Sequence, residues 1–225
     1  MPETENYRYD LQHSPSYAQL DVHLRPEQSI LVEASAMAAM DANLQMKSRL
    51  KGGLLKGLGR ALAGESLFIN EFTAQRQQGT LHIAPAIPGD VRHYALDGQM
   101  GLIVQSGGFV ACSPTIELET KFQGVKGFFS GESIFMLRAS GRGDLWFSSY
   151  GGILEIPISG EYVIDTGYIV AFEDTLDYGV EMISGLSFRG LRTGLLGGEG
   201  LVCRLRGQGR AWIQARHLFN LLNFL

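Results

Sequence analysis

The sequence predicts an all-β protein built from three pseudo-repeats, and three observations predict it. Glycine supplies 29 of the 225 residues, nearly twice the usual share of roughly 7%, which points to many tight turns and few long helices. Short apolar runs alternate with glycine-led turns every 8–12 residues or so, the spacing of sandwiches and barrels. Finally, one dipeptide recurs at a fixed interval: Gly64-Glu65, Gly131-Glu132 and Gly198-Glu199 are spaced by 67 residues.

Residues 1–15 are polar and without periodicity, and read as a loose lead. Leu20-Asp21-Val22-His23-Leu24 alternates as a half-buried strand does. A turn follows at Arg25-Pro26-Glu27, because proline fixes its own φ and biases its neighbour away from helix. The next strand opens a stretch, Ile30 to Ala39, that aligns without gaps with Leu102 to Ala111 and with Tyr162 to Ala171. Each has bulky apolar residues, then one polar residue (Glu33, Gln105, Asp165), then small residues. Small residues after a strand suit a corner or a bulge.

A connector comes next. In its first copy it holds Lys47, Arg49, Lys51, Lys56 and Arg60 among four glycines. The Gly-Glu stretch follows, with bulky residues at matched places (Leu62, Phe129, Leu196; Leu67, Ile134, Leu201) and small ones at others, a packing constraint written three times. Cys203 falls at the place of Ile69 and Met136 and reads as a core residue. After each copy stands a glycine-led strand: Gly79 to Ile83, Gly143 to Phe147 and Gly209 to Ile213. The first two close at Pro88-Gly89-Asp90 and Gly151-Gly152. The units are therefore 16–88, 89–151 and 152–216 within a single all-β domain. The end, 217–225, places Leu218, Leu221, Leu222 and Leu225 on one helical face and reads as a short apolar C-terminal helix. Its apolar face would pack on its own chain, on another subunit or on a membrane surface.

Gly52-Gly53-Leu54-Leu55, Arg60, Gly64-Glu65-Ser66-Leu67-Phe68-Ile69-Asn70, Phe72-Thr73-Ala74, Ala84-Pro85 with Pro88-Gly89, and Gly131-Glu132-Ser133-Ile134-Phe135 carry a resemblance over most of residues 16–216. They resemble the family of the yeast mitochondrial protein needed for inner-membrane cristae organisation, whose prokaryotic members are largely uncharacterised. The resemblance implies a β-sandwich fold like that of the tryptophan RNA-binding attenuation protein, in the double-stranded β-helix class. It implies no catalytic residues.

The chemistry that the residues themselves offer is thin. The net charge of −4 disfavours a general nucleic-acid binder but leaves room for a local basic patch. Two cysteines, Cys112 and Cys203, make neither a disulfide framework nor a metal knuckle. The polar, acidic opening MPETENYRYD matches neither a secretory signal nor an Arg-rich transit peptide, and no apolar run approaches the ~20 residues of a spanning helix. The expectation is a cytoplasmic, bacterial-type protein without stable membrane insertion.

Glycines with lysines around Lys51, Lys56 and Arg60 could cradle an anion, although the spacing of a phosphate loop is absent. Glu65, Glu132 and Glu199 could converge as carboxylates, or each could accept backbone N–H groups in its own turn; repetition favours the second. Predicted strand positions bring His82 and His93 near a shared hairpin with no third metal ligand. Arg142-Gly143-Asp144 spells an adhesion tripeptide at a turn glycine. Trp146 and Trp212 alternate as core residues rather than as base-stacking platforms. No catalytic, metal or cofactor residue is expected. The leading expectation is a non-catalytic scaffold or assembly protein with protein partners, connected to membrane organisation. Exposed sheet edges suit closed homo-oligomers, a trimer first among them. The alternatives are a module for a small ligand, phosphate or RNA using Lys47–Arg60, and a metal-dependent barrel enzyme.

Overall fold

The computed structural model describes residues 4, 6–50, 68–122, 135–182 and 201–217. They are almost entirely antiparallel β-structure. The strands, in chain order, are β1 (Arg8–Gln12), β2 (Gln19–Leu24), β3 (Ser29–Glu33), β4 (Met37–Met40), β5 (Leu44–Leu50), β6 (Phe68–Ala74), β7 (Gly79–Ile83), β8 (Val91–Asp97), β9 (Leu102–Gln105), β10 (Phe109–Cys112), β11 (Glu117–Phe122), β12 (Phe135–Ser140), β13 (Arg142–Ser148), β14 (Ile153–Asp165), β15 (Ile169–Glu173), β16 (Asp177–Met182) and β17 (Leu201–Gln214). One sheet runs β1-β2-β7-β4 and a second β5-β6-β3-β10-β13-β8. The third runs β11-β12-β9-β15-β17-β14, with β16 also on β17.

One pairing scheme recurs along the chain. β2 lies on β7, β8 on β13, and the first half of β14 on the last half of β17. Next, β3 lies on β6, β9 on β12, and the second half of β14 on the first half of β17. The hairpins β5·β6, β11·β12 and β16·β17 follow. Finally β4 joins β7, β10 joins β13 and β15 joins β17, each with a register shift, at Met37/Ala39, Phe109/Ala111 and Ile169/Ala171. These shifts fall at matching places of the gapless alignment, just after the small residues expected to form a corner or bulge; those small residues form a turn at 34–35 and short 3-10 turns at Ser106–Gly108 and Thr166–Tyr168. An extra residue at each shift turns the strand.

Three features differ from the expectation. Residues 8–12 of the presumed loose lead form β1, paired with β2, and Tyr7 and Tyr9 are buried. Polar residues alternate with these tyrosines, so the stretch is too short to show its period. In the last third, two long strands replace four short ones. Gly160 and Gly207 lie opposite one another, both at positive φ (100° and 125°), so the pair bends together without breaking the ladder. The register also moves the third copy by one residue. Ile69 faces Glu33 and Met136 faces Gln105, but it is Val202, rather than Cys203, that faces Asp165.

The core follows the strands as three clusters. The first gathers Leu20, Val22, Ile30, Val32, Phe72 and Leu81 around Trp146. The second gathers Leu31, Leu102, Phe109, Leu137 and Phe147 with Trp212. The third gathers Ile103, Ile164, Phe172, Cys203 and Leu205. The turns at Pro88-Gly89 and Gly151, read from sequence as counterparts, meet: Gly89 and Gly151 form a bridge, and Asp90 N–H donates to the Gly151 carbonyl at 3.0 Å.

Candidate functional site

The basic candidates Lys51, Lys56 and Arg60, and the turn residues Gly64, Glu65, Gly131, Glu132, Gly198 and Glu199, lie outside the described residues. So does the expected C-terminal helix beyond His217. The strand ends that flank the three Gly-Glu segments are paired: Leu50 with Phe68, Phe122 with Phe135 and Met182 with Leu201. Of the Lys47–Arg60 segment, Lys47 stands exposed on β5.

The histidines do not share a site. His82 on β7 and His93 on β8 belong to different sheets, which corrects the hairpin expectation: consecutive strands here part at the Pro88-Gly89 turn and enter separate sheets. His82 meets Asp21 at 2.7 Å, and His23 meets Asp10 at 3.0 Å. His93 meets Asp144 at 2.6 Å. Asp144 is buried and also accepts from Asn6 Nδ2 (2.9 Å) and Thr4 Oγ1 (3.1 Å). Burial pushes its carboxyl up, but the bonds from His93, Asn6 and Thr4 outweigh that and hold it below the ordinary value. The Arg142-Gly143-Asp144 tripeptide thus has its acid turned inward. Around it, Tyr7, Tyr9 and His93 pack against Trp146 at ring distances of 5.3–5.6 Å.

A second cluster centres on buried Glu173. It accepts from Tyr94 (3.0 Å), from the Arg210 side chain (2.8 Å) and from the Arg210 backbone N–H (2.9 Å). The Arg210 guanidinium lies over the rings of Tyr94 and Trp212, and Trp212 donates to Glu155 at 3.0 Å. Burial and the Glu173 carboxylate push the Tyr94 hydroxyl up to about 12. Asp174 beside it takes Arg138 and the Gly101 N–H.

One constellation was missed by sequence reasoning. The residue two beyond each bulge alanine turns its side chain back to bind a backbone N–H on the partner strand. Asp41 accepts from Thr80 (2.7 Å), Ser113 from Asp144 (2.8 Å) and Glu173 from Arg210 (2.9 Å). Asp, Ser and Glu share no obvious sequence signature, but all carry an acceptor oxygen. The only signal was position: each stands two residues after an aligned alanine.

Both cysteines are buried, and burial pushes the Cys203 thiol up to about 11, away from the thiolate that nucleophilic chemistry requires. A small cavity of ≈ 70 Å³ is lined by Ile87, Gly108, Ser148, Ser149, Tyr150 and Gln214, among others. That is room for a water or two and far below the several hundred Å³ of a typical ligand pocket. Among the described residues no group of three His, Cys, Asp or Glu could hold a metal ion, and no helix is long and apolar enough to cross a membrane.

Residues 9–216 match the family described as Mitochondrial biogenesis AIM24. The chain belongs to that family. An uncharacterised protein of Streptococcus pyogenes is 27% identical over 221 residues, spanning 94% of this chain and 86% of that one. A crystal structure of a Streptococcus pyogenes protein from a structural-genomics consortium superposes with a TM-score of 0.81 at 24% identity, covering 98% of each chain. That likeness concerns the fold. For this AIM24-family chain, the two described polar clusters are therefore read from their own geometry: side-chain ties that join β8 and the residues ahead of β1 to β13, and β8 and β17 to β15.

Proposed function

We propose that this chain is a non-catalytic scaffold or assembly protein of the bacterial cytoplasm, forming a closed homo-oligomer and serving the organisation of membranes through protein partners. Its three units, 16–88, 89–151 and 152–216, form one domain, and three chains are the expected assembly. The observation that carries the reading is how the buried charges are used. Asp144 and Glu173 each bind several donors of their own chain, and neither lines the small cavity beside Ser148 and Gln214. Acids held this way fix strands in place and are poor general bases. The family description, mitochondrial biogenesis, motivates the link to membrane organisation.

Reciprocal affinity capture from bacterial cells tests the proposal. One and the same partner should be recovered from either side. A thermal-shift screen with nucleotides and inorganic phosphate, run beside an RNA retention assay, is the counter-test. Stabilisation by one of these ligands, abolished by charge reversal at Lys51, Lys56 and Arg60, would replace the scaffold reading with the ligand-module reading.

A further inference from the structure

Two sheet edges of this fold match one another, and neither is filled by another described strand. Each junction between successive stretches uses one pairing. β10 lies on β3, with Ala111 opposite Val32 and Cys112 opposite Leu31. β15 lies on β9, with Ala171 opposite Val104 and Phe172 opposite Ile103. In the gapless alignment, β4 is the counterpart of β10 and β15, and Tyr162–Asp165 of β14 is the counterpart of β3 and β9. Yet among the described strands β4 pairs with β7 alone and β14 with β17 alone.

Exposure follows this difference. β10 and β15 are buried throughout, whereas Ala38, Ala39 and Met40 of β4 are exposed, Met40 by 38%. Leu102 and Ile103 of β9 are buried, whereas their counterparts Tyr162 and Val163 are exposed by 43% and 45%. Three large apolar side chains in solvent on two open edges make a pairing template.

We infer that β4 of one copy pairs antiparallel with the second half of β14 of another copy, repeating between chains the junction made twice within the chain. The internal register fixes the intermolecular one: Ala39 opposite Ile164 and Met40 opposite Val163 of the second copy. Because each chain offers one edge of each kind, the contact is head-to-tail, and the chain count is set by the rotation at which the ring closes. This rests on the assembly reading above and names its surface.

Cysteines placed at Met40→Cys and Val163→Cys test the register, since residues directly opposite across an antiparallel pair come within disulfide reach. Under mild oxidation the double variant should run on a non-reducing gel as a ladder of dimers and larger species, collapsed by reductant. Each single variant should give no ladder. A double variant that closes the disulfide within one chain, or stays reduced, overturns the inference. Val163→Lys, at an exposed position that leaves the core intact, should lower the mass in solution to that of one chain. If the native protein is multimeric by light scattering and Val163→Lys leaves the mass unchanged, the edge assignment falls while assembly stands. A native protein of one-chain mass removes both.

Discussion

Single side chains in this protein act mainly by what they leave unsatisfied. Asp144 is the clearest case. Asp144→Ala would strand His93, Asn6 and Thr4 without their shared acceptor, and denaturant unfolding should show a loss of about 2–4 kcal/mol. Glu33 behaves in the opposite sense. It sits half-buried at the end of β3, and burial raises its carboxyl from 4.5 to about 7. The native state therefore binds its proton more tightly than the unfolded chain does. This contribution is fully present below pH 4.5 and is lost as pH rises through about 7. The aligned position in the second stretch is already the neutral Gln105. Glu33→Gln should accordingly raise stability at pH 8 by about 1 kcal/mol, while changing little at pH 4; thermal unfolding at the two values checks it. Sequence reading placed Glu33 correctly on its strand. It could not see the burial that perturbs it, because exposure depends on neighbours contributed by other strands.

At the scale of elements, turns and ties hold strands that share few residues. Gly89 meets Gly151 so closely that a Cβ at Gly89 would come 1.9 Å from the Ser149 carbonyl oxygen. Gly89→Ala must move backbone, and should cost about 3 kcal/mol or more. Gly152→Ala, where nothing lies within 4 Å, should be close to neutral by the same unfolding measurement. The backbone ties from Asp41, Ser113 and Glu173 make a graded series. Ser113→Ala orphans one N–H and should cost about 1–3 kcal/mol, whereas Glu173→Ala also abandons Arg210 and Tyr94 and should cost more. Most strands were legible because small residues and glycines punctuate them at matched places: the corners after β3, β9 and β14 were expected, whereas the bulges ending at Ala39, Ala111 and Ala171 came a step later than the small residues suggested. β1 was not legible, since Arg8 to Gln12 gains its place from β2 and from Trp146 rather than from a pattern of its own. Nor was the continuity of β14, because Gly160 reads as a break until Gly207 is found opposite.

Among the described strands, the molecule is a chain of repeated junctions whose end strands, β4 and β14, have an unpaired edge. The Gly-Glu motif that first suggested the repeat lies outside the described residues; what the described strands show is a pairing scheme that recurs along the chain. The motif's candidate-site role was not legible for a physical reason. Glycine, glutamate and bulky apolar residues suit a turn as well as a ligand loop, and spacing alone does not separate the two. What the described structure does offer is the mismatch between filled edges at β10 and β15 and open ones at β4 and β14. Multi-angle light scattering on the purified full chain at micromolar concentration tests the central claim most directly. The account predicts a discrete mass that is a multiple of the 24.7 kDa chain, three chains being expected. A single species of one-chain mass across that concentration range would contradict it.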